Sequence, residues 1–492
     1  MKWMKTVGFL LIAALLWFSA ASAGDSDLES LSITGGGENA LEALQEYPNL
    51  KSLTLEDCPA YDLTALAACS RLTTLTITWS DGYTGGAAYD LSPLKKCSRL
   101  TTLTLIGPGI TDLSALAGIA KLTTLTVEST LVSDYSPIAE LSLKHLRLFG
   151  ADAESITAVF TAIGRKLESA SVGDCTLTSE ANDAILAGTR LLSLSFTNAE
   201  GIDGSSARWA KLSKLTSLTV NGGSVSGLDF CDTYVATVAV KLTDVFIGGQ
   251  VCSVDFNKYF LVVSNVAADE MLKLVQGSGR RWQYATVRQS EGQTTADVIA
   301  AFADVASLLS LDVQGVAPGA FAPGVWEGFP KLEQLKLSGC ESVSLSMLPE
   351  LPGLLRLSVQ NAAVSAADAI GGLRKLEQLS MINCTIEDWS FLDALSTKIT
   401  LLNLSGCNGP TALAFVKDLA KLKVLALEYA PVTDLEPLAG LSVENLYLYG
   451  CDIADYTPLK TLKSLELLYC NADARLPSLS CRIVNQSVID LK

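Results

Sequence analysis

The sequence predicts an α/β solenoid, a right-handed coil with a parallel β-sheet along its concave face and short helices and turns along its convex face. Three observations predict it. The pattern Leu-x-x-Leu-x-Leu recurs nineteen times, with first residues at Leu28, Leu50, Leu72, Leu100, Leu122, Leu143, Leu167, Leu191, Leu215 and Leu242, then Trp282, Leu308, Leu332, Leu354, Leu376, Ile399, Leu422, Val443 and Leu462. Most intervals lie between 21 and 24 residues. Within each match apolar and polar residues alternate, the period of a strand with one buried face. A unit this short cannot bury that face alone, so neighbouring units must stack and cover one another.

Composition agrees and excludes other classes. Of 492 residues 49% are hydrophobic and 18% charged, which is incompatible with a disordered chain. The 36 Lys and Arg stand against 52 Asp and Glu, a net charge of -16, so no nucleic-acid partner is expected, because phosphate contacts need clustered cations. A single histidine removes most catalytic and metal-site arrangements, and no cofactor is expected.

Along the chain, residues 1–23 read as a signal peptide: Lys2 and Lys5, an apolar run from Val7 to Phe18, and Ala21-Ser22-Ala23 as a cleavage site. That run is too short to span a bilayer and no later stretch reaches 18 apolar residues, so no integral membrane segment is expected and the product is read as secreted or extracytoplasmic. Residues 24–247 form the N-terminal repeats. An insertion there, Trp79 to Tyr89, is glycine-rich with one Trp and two Tyr, a contact element or a cover for the array edge. Between Leu143 and Leu242 the units lengthen, and Ser179 to Arg190 reads as a fuller helix. In residues 248–307 the repeat degenerates, with strand candidates at Leu261 to Val263 and Trp282-Ala285-Val287 and helices near Ala267 to Val275 and Thr295 to Ala306; a break between two arrays is the alternative. Residues 308–470 are the C-terminal repeats, and residues 471–492 cap the last one, with Arg482 to Ile489 covering its edge strand.

Several units follow the strand with Asp-Leu-x-Pro-Leu or a close variant, as in Asp90 to Leu94, Asp112 to Leu116, Asp134 to Ile138, Asp434 to Leu438 and Asp455 to Leu459. Asp caps the free N–H groups opening a short helix, and proline fits its first turn. A stack of calcium sites is the costlier reading of this Asp column. On these motifs residues 28 to 470 resemble the leucine-rich repeat family, and several units resemble its bacterial internalin type. The resemblance implies an α/β leucine-rich repeat solenoid and a binding role.

The cysteines fall in register. Cys58, Cys175, Cys340, Cys384, Cys407, Cys451 and Cys470 stand three residues after the last apolar strand residue, in the column this family fills with Asn or Cys facing the coil. Other occupants are small, such as Ala151, Ala199 and Ala430. Most of these thiols are expected to be free and buried. Cys69 and Cys97, each before Ser-Arg-Leu, share another column and either pair as a disulfide or fill the core.

In this pattern the third, fifth and seventh residues point to the concave face. His145, Arg147 and Phe149 form one such row, with His145 a contact residue or a bystander and no catalytic role expected; Thr74, Thr76, Thr78, Thr102, Thr104, Thr124 and Thr126 form either a plain solvated strand face, the favoured reading, or a lattice able to meet water or glycans. The C-terminal rows read as the binding hot spot: Glu428 with Tyr429, then Tyr447 and Tyr449, then Glu466 and Leu468 with Tyr469. Alternatively the cap buries these rings as core. The expected function is an exported, non-enzymatic scaffold that binds a protein ligand on its concave face, with a glycan as the alternative partner.

Overall fold

The computed structural model describes residues 28–486 apart from 36–40, 59–62, 80–87, 129, 205, 233–237, 278–281, 289–293, 304, 316–324 and 347. The signal segment lies outside the described residues. The chain divides into two compact units, Met1–Ile247 and Gly248–Lys492.

Among the described residues of the first unit ten strands run from Ser30–Thr34 to Ala239–Ile247, and each pairs in parallel with the next. Register is uniform: Ser52, Thr74, Thr102 and Thr124 are level, then His145, Ser169, Ser193 and Ser217. The fourth and sixth pattern positions, such as Leu53 and Leu55 or Leu103 and Leu105, are fully buried. Each such leucine contributes roughly 1.5–3 kcal/mol of burial. Returns are mostly 3-10 turns, such as Ser92–Lys96 and Ser114–Gly118; the longer units instead carry α-helices at Ala153–Ile163 and Ser179–Leu186.

The second unit begins with a hairpin, Gln250–Phe256 antiparallel to Phe260–Ser264. From Phe260–Ser264 onward the sheet is parallel through Tyr284–Arg288, Ser310–Gln314 and the later strands to Leu467–Asn471, and Arg482–Gln486 adds a last parallel strand. A second parallel sheet of three short strands, Ser342–Ser344, Ala363–Ser365 and Thr385–Ile386, forms after the main strands. Its last strand meets a side chain instead of a fourth strand: the Ile386 N–H donates to Asn408 Oδ1 and the Asn408 amide donates to the Ile386 carbonyl, both at 3.0 Å.

The Asp column caps its turns. Asp90, Asp112, Asp134, Asp388, Asp434 and Asp455 each accept the backbone N–H two residues on, at 2.7 to 2.9 Å. Those bonds, with the Ser and Thr hydroxyls beside them, hold the carboxyls of Asp90, Asp134, Asp388 and Asp455 below the ordinary range.

The cysteine column is borne out in part: Cys58, Cys340, Cys384, Cys407 and Cys451 are buried free thiols, whereas Cys175 is half-buried. Cys58, Cys384, Cys407 and Cys451 donate to the carbonyls of Ile33, Val359, Met381 and Leu427 in the preceding unit, at 3.3, 3.4, 3.1 and 2.9 Å. Burial pushes the Cys451 thiol up to about 11, so it stays protonated and able to donate. Cys69 and Cys97 are buried free thiols.

Three placements differ from the expectation. Leu242 does not open a unit: it is level with Val220, a sixth position, because Val240 takes the fourth. Leu462 does not open the last one either. Leu468 pairs with Leu446 and Tyr469 with Tyr447, so the frame starts at Leu465 and Cys470 is a core strand residue outside the ladder column. A run of leucines at 465, 467 and 468 satisfies both frames in sequence, and only pairing separates them. Finally, Trp79 and Tyr89 are core: the indole donates to the Cys58 carbonyl at 2.8 Å and the rings lie 5.3 Å apart. The insertion between them, residues 80–87, falls outside the described residues.

Candidate functional site

After the seventh pattern position the chain turns downward through a left-handed residue. Asp57, Asp174, Asn198, Asn361 and Asn383 hold this column with φ between 49° and 54°, and Gly107, Gly150, Gly339, Gly406 and Gly450 hold it elsewhere. These are the residue types that tolerate a left-handed backbone. Tyr429 is the exception. It occupies the column at φ 57° with a side chain 60% exposed. A bulky residue there costs of order 1–2 kcal/mol, and such outliers cluster at functional positions.

The surroundings are built to hold that ring. Tyr429 packs edge-on to Tyr449 with centroids 5.3 Å apart, Tyr449 lies 5.6 Å from Tyr469, and Tyr469 lies 6.2 Å from Tyr447. Gly450 is required twice, by its φ of 76° and because a Cβ there would come within 2.4 Å of the Tyr429 ring. Backbone bonds fix the step: the Tyr429 N–H donates to the Tyr449 carbonyl at 2.8 Å, and the Gly450 N–H to Asn471 Oδ1 at 2.7 Å. Tyr449 is buried and 7% exposed, whereas Tyr447 and Tyr469 are half-buried. The cap leaves Tyr429 open.

Glu428 stands level with Tyr449, flanked by the bonds that Leu427 and Tyr429 make to the Tyr447 and Tyr449 carbonyls. Its carboxyl is half-buried, and burial raises it above the usual carboxylate range. Among the described residues it has no ion pair. The Tyr429 and Tyr469 phenols are raised as well, chiefly by burial, with the nearby Glu428 charge contributing.

Two residues expected here are elsewhere. Leu468 is a core residue with no exposure, and Glu466 precedes the strand Leu467–Asn471, exposed but outside the row. Both follow from the shifted frame, whose true row is Leu467, Tyr469 and Asn471.

The His145 row is partly dissolved by the structure. His145 is exposed between Thr124 and Ser169, and among the described residues its ring makes no hydrogen bond. Arg147 pairs with Glu128 at 2.8 Å and lies over the Phe149 ring at 3.9 Å. Phe149 is not on the surface: at 2% exposure it packs over Gly173, where a Cβ would meet its ring at 2.5 Å.

Sequence reasoning missed one aromatic pair. Phe260 and Tyr284 stack at 4.8 Å and 14°, and Phe260 is 49% exposed. The signal was present, since both are third positions in the strands read at Leu261 to Val263 and from Trp282. Among the described residues no group of three His, Cys, Asp or Glu could hold a metal, and no helix is long and apolar enough to cross a membrane.

The parallel sheet, its return turns and the ladder column together define a leucine-rich repeat solenoid. No protein-family model matches the chain, and no curated protein matches it in sequence. It is similar to solved structures of the same fold. One is an internalin, InlF, from Listeria monocytogenes, at 17% identity and TM-score 0.24, covering 86% of this chain and 88% of that one. Another is a leucine-rich repeat protein from Leptospira interrogans, at 16% identity and TM-score 0.39, with 89% and 94% covered. A third is the plant peptide hormone receptor RGFR1 in complex with RGF2, at 13% identity and TM-score 0.38, with 91% and 80% covered.

Proposed function

We propose that this chain is an exported, non-enzymatic scaffold that captures a protein ligand on its concave face, at Tyr429, Tyr447 and Tyr469 around the buried Tyr449. The observation that carries this reading is Tyr429 itself: a large exposed ring kept at a left-handed position that Gly, Asn or Asp fills in other units. A scaffold without a ligand gains nothing from that cost, whereas tyrosine gives a binding surface large rigid area at small entropic loss. Export rests on the reading of residues 1–23, and the region boundaries at 24, 248, 308 and 471 belong to the same proposal.

The test is a displayed protein library panned on the immobilised chain, with a glycan array in parallel. Wild-type protein should recover protein clones, and Tyr429→Asn, which keeps the left-handed turn, should lose them with its melting temperature undiminished. Clones that bind the variant equally well would move the site elsewhere. Glycan signals without protein clones would replace a protein ligand by a saccharide.

A further inference from the structure

We propose that the group seated on this patch is a cationic side chain of the ligand, a lysine ammonium or an arginine guanidinium, held between the tyrosine rings and the Glu428 carboxylate. This rests on the tyrosine patch being the ligand surface.

Two other half-buried carboxylates of the sheet face carry a counter-charge, whereas the exposed Glu56 accepts from the Thr34 hydroxyl. Glu128 is paired with Arg147 at 2.8 Å and Asp312 with Lys336 at 3.3 Å, each by a cation on the neighbouring strand. On the strands following Glu428 the level residue is Tyr449, not a cation, and beyond it lies Asn471. Lys423, which leads into the same strand, is already committed to Glu444 at 2.6 Å. Glu428 is therefore a half-buried carboxylate whose own chain supplies it no counter-charge among the described residues. Removing a charge from water without a partner is unfavourable, and a partner arriving with a ligand recovers that cost.

The rings complete the arrangement. The Tyr429 and Tyr449 planes meet at 86° and the Tyr449 and Tyr469 planes at 58°, so faces are presented in different directions over a span of two ring contacts. Ring faces at such a corner attract cations through their negative quadrupole, and the effect strengthens where water is displaced. Phenol oxygens add acceptors for N–H donors. Net charge favours the same sign of partner, because a chain at -16 draws cations and repels anions. An apolar ligand group would leave the Glu428 carboxylate more deeply desolvated and still unpaired.

The test uses the full chain and three small probes of one shape class: N-acetyl-lysine methylamide, N-acetyl-arginine methylamide and the uncharged N-acetyl-norleucine methylamide, followed by saturation-transfer NMR. Both cationic probes should bind at least five-fold more tightly than norleucine, and the stronger of the two identifies the head group. Glu428→Gln should reduce that preference to near unity, and Tyr429→Asn should remove most binding of all three. Equal binding of norleucine, an undiminished preference in Glu428→Gln, or no saturable binding of either cationic probe overturns the proposal. Melting curves on both variants verify folding, and salt titration of the wild type gives the same reading if a variant does not fold, since the cationic preference should fall as salt rises. If the cationic preference is absent while panned clones still depend on Tyr429, the cation is wrong and the patch stands. If the clones ignore Tyr429, the patch itself is wrong.

Discussion

Along Ser52–Glu56, Thr74–Thr78, Thr102–Ile106 and Thr124–Glu128 the third and fifth positions are Ser52 and Thr54, then pairs of threonines. Along Val424–Ala426, Asn445–Tyr447 and Leu467–Asn471 the same positions carry Val424, Ala426, Asn445, Tyr447, Leu467 and Tyr469. Beneath both, the buried positions are nearly interchangeable: Leu53, Leu75, Leu103 and Leu125 in one, Leu425, Leu446 and Leu468 in the other. The core is held constant and the face above it varies without disturbing it, since strand side chains alternate. In the threonine rows the residues suit any solvated strand. The tyrosine rows differ in a way that strand propensity does not explain, because there the turn, the glycine beside it and the burial of Tyr449 all bend to keep one ring exposed.

The sharpest test of that contrast is stability. Tyr449→Ala should cost about 3 kcal/mol or more, the scale for truncating a buried aromatic, while Thr104→Ala should stay within about 0.5 kcal/mol. Urea unfolding of both variants measures it. A costly Thr104→Ala would make the threonine rows structural too.

Next in size is the ladder. Cys451→Ala removes a thiol bonded at 2.9 Å to the Leu427 carbonyl and should cost about 1 kcal/mol, no more, because the Ala430 N–H also donates to that carbonyl. Ala430 already occupies the column one unit earlier. A loss of several kcal/mol would show that the thiols carry the coil.

Tyr429→Asn should leave stability unchanged or raise it by up to about 1 kcal/mol, since relief of left-handed strain outweighs the lost ring contact. Stability and capture then move apart. A clear loss of stability would mean that the ring is part of the core.

Glu428 gives a smaller, pH-dependent effect. Burial holds its carboxyl above the ordinary range when folded, so the folded chain binds a proton that the unfolded chain has released. Its contribution is therefore complete below the ordinary glutamate range and is lost as pH rises through the raised folded value. Glu428→Gln should flatten that decline in a pH series of unfolding curves, and an unaltered slope would assign it to other groups. Smallest of all is His145→Ala, expected within about 0.5 kcal/mol because the imidazole is exposed and forms no hydrogen bond among the described residues.

The fold was legible because repetition averages out local ambiguity: Leu75, Leu103 and Leu125 fix one another's frame. Where repetition ends, so does legibility. In the last unit three leucines allow two frames, and the one that pairing excludes puts Leu468 and Glu466 in the site. Phe149 is illegible for another reason, since a seventh position opposite Gly173 has room beneath it to turn inward, and a strand pattern carries no record of the neighbour's missing side chain. The tyrosines were visible as residue types, but the meaning of Tyr429 was not. Its left-handed backbone appears only when the column of Asn, Asp and Gly is aligned by pairing. Trp79 and Tyr89 bound an insertion that in sequence reads as a contact element or a cover for the array edge, and only the indole's bond to the Cys58 carbonyl reveals them as core.

One residue away from these rows has a consequence for the protein in concentrated solution. By offering an acceptor and a donor to the two backbone groups of Ile386, Asn408 closes the small sheet with its amide as another strand would with its backbone. Without it, that border would be an open template on which a second molecule could add a strand, the first step toward aggregation. The Asn408 amide thus serves as an end-stop for the small sheet at that border.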